Sequence, residues 1–226
     1  MQTIIILISV YFIIGGVATA FVNRKRPEGA KERWKKYIVY FFIVFAMLVI
    51  IEAGLFVFAA LAIVAAGAYE IIRIGRRHYR TMMSAIVVYV LIASLFITFA
   101  SHPVIYSSTM LYVIVLIFDG FSQIFGQLFG KIKLAPKVSP GKTMEGLAGG
   151  MVVAAATATF IWHSALLGII ICIAAFTGDL LSSYYKRKCG VKDYSNLIPG
   201  HGGVLDRFDS LIFAGACSPL LPYLWT

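Results

Sequence analysis

Between Ser182 and Ser210 the chain reads SSYYKRKCGVKDYSNLIPGHGGVLDRFDS, a segment with the parts of a metal-nucleotide site. Lys186, Arg187 and Lys192 supply cations for phosphate oxygens, and Gly200, Gly202 and Gly203 let backbone approach a phosphate closely. Asp193, Asp206 and Asp209 offer the hard oxygen ligands that Mg²⁺ prefers. Chemistry of this kind works by positioning and charge neutralisation, as in phosphoryl-type transfer, and needs little covalent help from the protein. A second segment, KIKLAPKVSPGKTMEGLAGG from Lys131 to Gly150, is a basic loop broken by Pro136 and Pro140 ahead of an apolar run. Gly141, Lys142 and Thr143 would present backbone N–H groups and an ammonium at a helix N-terminus, where the macrodipole also favours anions. This is not a Walker A loop, which wants glycine where the chain has Pro136. Gly146 and Gly150 read as a small-residue helix-packing face.

Two further acids stand inside apolar runs: Asp119 in LIFDG and Asp179 in AFTGDL. A carboxylate at that depth needs a cation, a metal or a water-filled cavity, so each is a candidate site residue. Glu70, beside Arg73, reads as a structurally paired acid, and Glu52 as solvated at an outer turn. His78, His102 and His163 have no metal-like surroundings and read as surface or interfacial residues.

The elements that hold these residues must be membrane helices. Of 226 residues 60% are hydrophobic and 13% charged, and the mean hydropathy is +0.88, far from a soluble domain. The net charge of +10 fits loops facing an anionic leaflet and speaks against nucleic-acid binding. Cutting the apolar runs at the charge clusters gives spans near 3–22, 37–51, 53–72, 82–100, 104–126, 144–161, 164–185 and 208–225, with a turn near Glu52 and Gly54. The fold expected is therefore all-α: a single polytopic membrane domain over 1–226, with N-terminal helices in 1–100 and catalytic helices and cytoplasmic loops in 101–226. All twenty Lys and Arg fall in alternate connections (24–36, 73–80, 131–142 and 186–207). By the positive-inside rule this puts both termini outside. The first run lacks a basic stretch before it and reads as an anchor, not a cleaved signal. Cys172, Cys189 and Cys217 show no metal-ligand or disulfide spacing.

At these residues the chain resembles the phosphatidate cytidylyltransferase (CDP-diacylglycerol synthase) family, whose signature runs S, two residues, KR, four residues, KD, then a short spacer to P-x-HGG-x-x-DR-x-D. Ser183, Lys186, Arg187, Lys192, Asp193, Pro199, His201, Gly202, Gly203, Asp206, Arg207 and Asp209 match it. A second block is also similar: Asp119, Phe129-Gly130-Lys131, Lys133-Leu134-Ala135-Pro136, Ser139-Pro140, Lys142-Thr143 and Glu145-Gly146. One departure is Tyr185, where the family is usually aliphatic.

The resemblance implies the reaction CTP + phosphatidate → CDP-diacylglycerol + pyrophosphate, with Mg²⁺ required. Asp179, Asp206 and Asp209 are the expected metal ligands. Lys186, Arg187, Lys192 and Arg207 would clamp the phosphates, with Lys142, Thr143, Ser183, His201, Gly202 and Gly203 contacting substrate. It further implies a multi-pass protein of the cell membrane with its site facing the cytoplasm, a bacterial inner membrane being the expected location, and family members are often homodimers. The alternatives are a CTP-dependent polyprenol or phytol-type lipid kinase, which would transfer the γ-phosphate, and a lipid or anion transporter, which would usually show inverted repeats.

Overall fold

A computed structural model describes residues 2–25, 27–101 and 105–218. The elements are α1 (Gln2–Lys25), α2 (Ala30–Glu52), α3 (Phe56–Gly75), α4 (Tyr79–Ser101), α5 (Ile105–Phe129), β1 (Lys133–Ala135), β2 (Ser139–Thr143), α6 (Met144–Trp162), α7 (Ala165–Lys188) and α8 (Leu205–Cys217). Helices α1 to α7 are each long and apolar enough to cross a membrane, so the chain is a multi-pass membrane protein. The eighth expected span begins in α8, a helix of thirteen residues from Leu205 to Cys217. Positions 219–225 lie outside the described residues, as does His102.

The helices follow the expected spans but begin or end further into the charged segments. Hydropathy stops at a lysine, whereas helical backbone continues through the interface, where long basic side chains reach water. The turn between α2 and α3 falls where Glu52 and Gly54 predict it: Gly54 takes a left-handed backbone (φ +72°) and its N–H donates to the Ile51 carbonyl at 3.0 Å. One local expectation needs correcting. The basic segment ahead of α6 is not an open loop but an antiparallel β-hairpin in which Lys133 pairs with Thr143 and Ala135 with Ser139. Prolines 136 and 140 mark its tight turn and its edge.

Helix α5 lies against α6 and also meets α1, α2, α7 and α8. Its close approach to α6 depends on the predicted small-residue face. A Cβ on Gly146 would press on the Ser122 carbonyl at 2.6 Å, and one on Gly150 would run into the Ser122 hydroxyl. In lipid there is little hydrophobic drive between helices, so such backbone proximity is what stabilises the pair. Large apolar side chains such as Phe42, Phe58, Val152 and Phe160 point outward, as expected of a surface covered by acyl chains.

The basic connections meet at one end of the bundle. Lys36 of α2 lies against Gly200, Tyr185 of α7 donates to the Ile71 carbonyl of α3 at 2.8 Å, and Arg187 of α7 donates to the Val138 carbonyl of the hairpin at 3.0 Å. The Tyr185 bond also accounts for the departure from the aliphatic pattern, because the phenol reaches over Gly75 to α3.

Candidate active site

Helix α7 carries Asp179, Ser183 and Lys186 at four- and three-residue spacing, which stacks them on one face. Asp179 forms an ion pair with Lys142 at 2.5 Å, their side chains 31% and 21% exposed. Ser183 donates to Asp179 at 3.3 Å, and the Lys142 ammonium also sits 4.5 Å from the Phe176 ring centroid. One turn further toward the connection, Lys186 pairs with Asp206 of α8 at 2.6 Å, this time with side chains only 9% and 3% exposed. The Asp206 carboxylate does more than neutralise Lys186. Its second oxygen accepts from the Tyr194 N–H at 2.7 Å and the Gly203 N–H at 2.8 Å, so it closes the segment between α7 and α8 onto the start of α8.

Gly202 is required in that closure. Its φ is +80°, and a Cβ there would stand 2.6 Å from an Asp206 oxygen. Asp209, one turn along α8, is buried, accepts from the Ser210 N–H at 2.8 Å, and feels the charges of Asp179 and Lys186. Asp119 of α5 completes the group through its interactions with Asp179, Asp209 and Lys142. Acids from α5, α7 and α8 thus gather near cations from β2 and α7. His201 stacks on Tyr40 of α2, 6.2 Å between centroids. Burial, with help from the Arg207 and Lys36 charges, holds its pKa below the usual 6.5, so this imidazole is neutral at pH 7.

Several expected site residues have structural duties instead of an open contact surface. Thr143 is buried and caps α6, its hydroxyl accepting from the Gly146 N–H at 3.1 Å. Gly203 spends its N–H on Asp206, and Arg187 straps α7 to the hairpin and to the Val191 carbonyl. Lys192 and Arg207 are exposed at the rim. Sequence reasoning passed over Tyr194, whose ring lies 5.3 Å from the Lys186 ammonium; it read Glu70 as a structurally paired acid, which holds, but did not find its partners. Glu70 does not turn to Arg73; it accepts hydrogen bonds from Ser195, Val204 and Leu205. The sign that could have found it is its solitude, one acid in an apolar run at the basic end of a helix.

Residues 81–224 match the family model described as the cytidylyltransferase family. The chain belongs to that family. Among its relatives, the phosphatidate cytidylyltransferase of Haemophilus influenzae is 45% identical over 132 residues, covering 51% of this chain and 45% of the relative. That of Rickettsia bellii is 43% identical over 148 residues (58% and 63%), and that of Staphylococcus haemolyticus 40% over 122 (50% and 45%). The chain spans about half the length of the curated relatives it matches. The matched stretch contains Asp119, Lys142, Asp179, Lys186, Asp206 and Asp209, so the part of the chain common to the cytidylyltransferase family is the part that carries these groups.

The donor chemistry of the site suits a divalent cation. The oxygens of Asp119, Asp179, Asp206 and Asp209 are hard ligands. Among the described residues no three His, Cys, Asp or Glu side chains are gathered to hold an ion, so an ion there would take one or two of these carboxylates and the rest of its ligands from substrate phosphates and water.

Proposed function

We propose that the protein transfers the cytidylyl group of CTP to phosphatidate, giving CDP-diacylglycerol and pyrophosphate. The observation that carries this reading is the pair of lysine-carboxylate contacts, Lys142 with Asp179 and Lys186 with Asp206, side by side where α7, α8 and β2 meet. Two ammoniums and several carboxylates gathered at a helix end suit a triphosphate with its cation, and no Ser, Cys or His nucleophile with a base is needed.

In the proposed reaction an oxygen of the lipid phosphate forms a bond to the α-phosphorus of CTP while the α–β bridging P–O bond breaks and pyrophosphate leaves. The lipid phosphate is largely ionised near neutrality, so no strong general base is required. Lys142 and Lys186 move from their carboxylates to phosphate oxygens, stabilising the charge that develops on the leaving group. Arg207 and Lys192, at the rim, draw in and orient the two phosphate-bearing substrates. One or two of the expected ligands Asp179, Asp206 and Asp209 would hold Mg²⁺, with substrate phosphates supplying further oxygens. When bound, that ion polarises the phosphoryl oxygens and shields negative charge.

The same reading places eight crossings in a bacterial inner membrane with both termini outside and the site facing the cytoplasm. It rests on the gathering of the basic connections at the site end of the bundle. Lipid then enters from the membrane side and CTP from water, and the polar groups are tolerated because they line an aqueous cavity.

The test uses detergent-purified full-length protein with phosphatidate, Mg²⁺ and CTP labelled at either the α- or the γ-phosphate. Label entering lipid from the α-position is the expected result. Transfer from the γ-position would mean a lipid kinase, and none from either would leave binding without catalysis.

A further inference from the structure

Helix α8 carries Asp206, Arg207 and Asp209 but has no cap of its own. Val204, at the N-cap, has no side chain that accepts a hydrogen bond, so the first amides of α8 need an acceptor from elsewhere. Glu70 supplies it from α3. One of its oxygens accepts from the Val204 N–H at 3.1 Å and the Ser195 hydroxyl at 2.6 Å, the other from the Leu205 N–H at 2.8 Å. Ser195 in turn accepts from the Leu197 N–H at 3.3 Å, so a single carboxylate holds segment 195–205 at both ends. Glu70 is 3% exposed, and Gly203 lies so close that any Cβ there would collide with the carboxylate. A buried carboxylate is costly unless its lone pairs are filled. Here the Ser195, Val204 and Leu205 donors all come from one connection, and the negative charge also faces the positive end of α8.

We infer that Glu70 is a positioning residue: it fixes the 195–205 connection and the first turn of α8 against α3, and so sets where Asp206 and Lys186 meet the triphosphate. Glu70 touches none of the reacting groups and precedes residues 81–224, which the family model matches. The N-terminal helices therefore complete the site as well as anchoring it.

The kinetic part of the test rests on the cytidylyl-transfer reading; the structural part does not. Glu70→Gln keeps the volume but turns one acceptor oxygen into an amide facing N–H donors. In the detergent-purified full chain, trypsin cleavage after the exposed Lys192 is compared with cleavage after Lys137 in the hairpin turn as internal reference. Glu70→Gln should raise the Lys192-to-Lys137 cleavage ratio about tenfold and lower kcat about 10- to 100-fold, the scale expected for lost charge-assisted hydrogen bonds. KM for phosphatidate should stay within about twofold, a split that general instability would not produce. Glu52→Gln, at the outer turn, serves as the neutral control. A wild-type cleavage ratio or a wild-type kcat in Glu70→Gln overturns the inference, as does an equal rise at both sites, which would reduce Glu70 to a general bundle contact. If the unmutated protein transfers no α-label, the proposed reaction fails while the cleavage ratio still decides the role of Glu70.

Discussion

The two lysine-carboxylate pairs predict that Asp206→Asn and Asp179→Asn, which should be alike in activity, differ in stability. In Asp206→Asn the amide oxygen can keep the Tyr194 and Gly203 N–H bonds, which leaves the NH₂ group facing the Lys186 ammonium. With the original side chains 9% and 3% exposed, Lys186 becomes a buried charge that has lost its contact partner and keeps only the more distant Asp209 charge, and breaking such a pair costs about 3 kcal/mol. The Asp179 pair, at 31% and 21% exposed, is screened by water, and losing it should cost about 1 kcal/mol or less. Each kcal/mol-scale loss is readable as a displaced midpoint in denaturant titration of the detergent-solubilised chain, followed by its three tryptophans. Cytidylyl transfer should fall by at least about 100-fold in both variants. Adding Lys186→Met to Asp206→Asn removes the stranded ammonium and should return stability to within about 1–2 kcal/mol of wild type without restoring turnover. Equal midpoints for the two single variants would refute the reasoning, since burial of the Lys186–Asp206 pair is the only difference it invokes. Wild-type transfer in either variant would remove that aspartate from the proposed chemistry.

Gly202→Ala should destabilise by about 1–3 kcal/mol, from its left-handed backbone and the approach to Asp206. Gly141→Ala, with nothing within 4 Å of its Cβ, should change the denaturation midpoint by less than about 0.5 kcal/mol. His201 has a folded-state pKa below its ordinary 6.5 because of burial and the Arg207 charge, so the unfolded chain binds more protons there. Its contribution to stability is complete above about pH 6.5 and is lost as pH falls through the lower folded value, and His201→Gln should flatten that acid slope in unfolding titrations. For topology, Cys189 is a poor probe because it is buried. On a background lacking the native cysteines, Leu197→Cys should react with impermeant thiol reagents from the cytoplasmic side only and the exposed Leu55→Cys from the opposite side only; the reverse pattern would overturn the orientation.

The membrane helices and the chemically active segment were legible in the sequence because both rest on local signals: apolar run length, charge clusters, and a dense stretch of Lys, Gly and Asp. The hairpin at 133–143 was not, since strands of three and five residues carry no usable alternation and prolines there read equally well as loop. The ion pairs were not legible either. Lys142 and Asp179 were each singled out, but nothing at a separation of that size announces that β2 folds back to set one on the other. Tyr194 and the partners of Glu70 escaped for a related reason: Tyr194 acts through its backbone N–H, which has no residue-specific signature, and Glu70 acts on amides more than a hundred positions away.

The pairing has a consequence for how so basic a chain can keep its acids inside a helix bundle. Asp179 and Asp206 each hold an ammonium, and Asp206 and Glu70 accept further N–H and O–H groups, so these three carboxylates carry little uncompensated charge into a region of low dielectric. Under the proposed reaction a triphosphate and its cation would exchange partners with these pairs, lysine to phosphate and carboxylate to metal, without stranding a bare charge at any stage. Such an exchange requires the acids and the cations to be fixed at contact distance before substrate arrives, since a displaced partner would face the full cost of desolvation alone. Lys142 is set by β2, Asp179 and Lys186 by α7, and Asp206 by α8, whose first turn depends on Glu70. Rigid placement of these elements is thus part of the electrostatics of the site, and substitutions in α3 should reach the chemistry through α8 without touching a substrate atom.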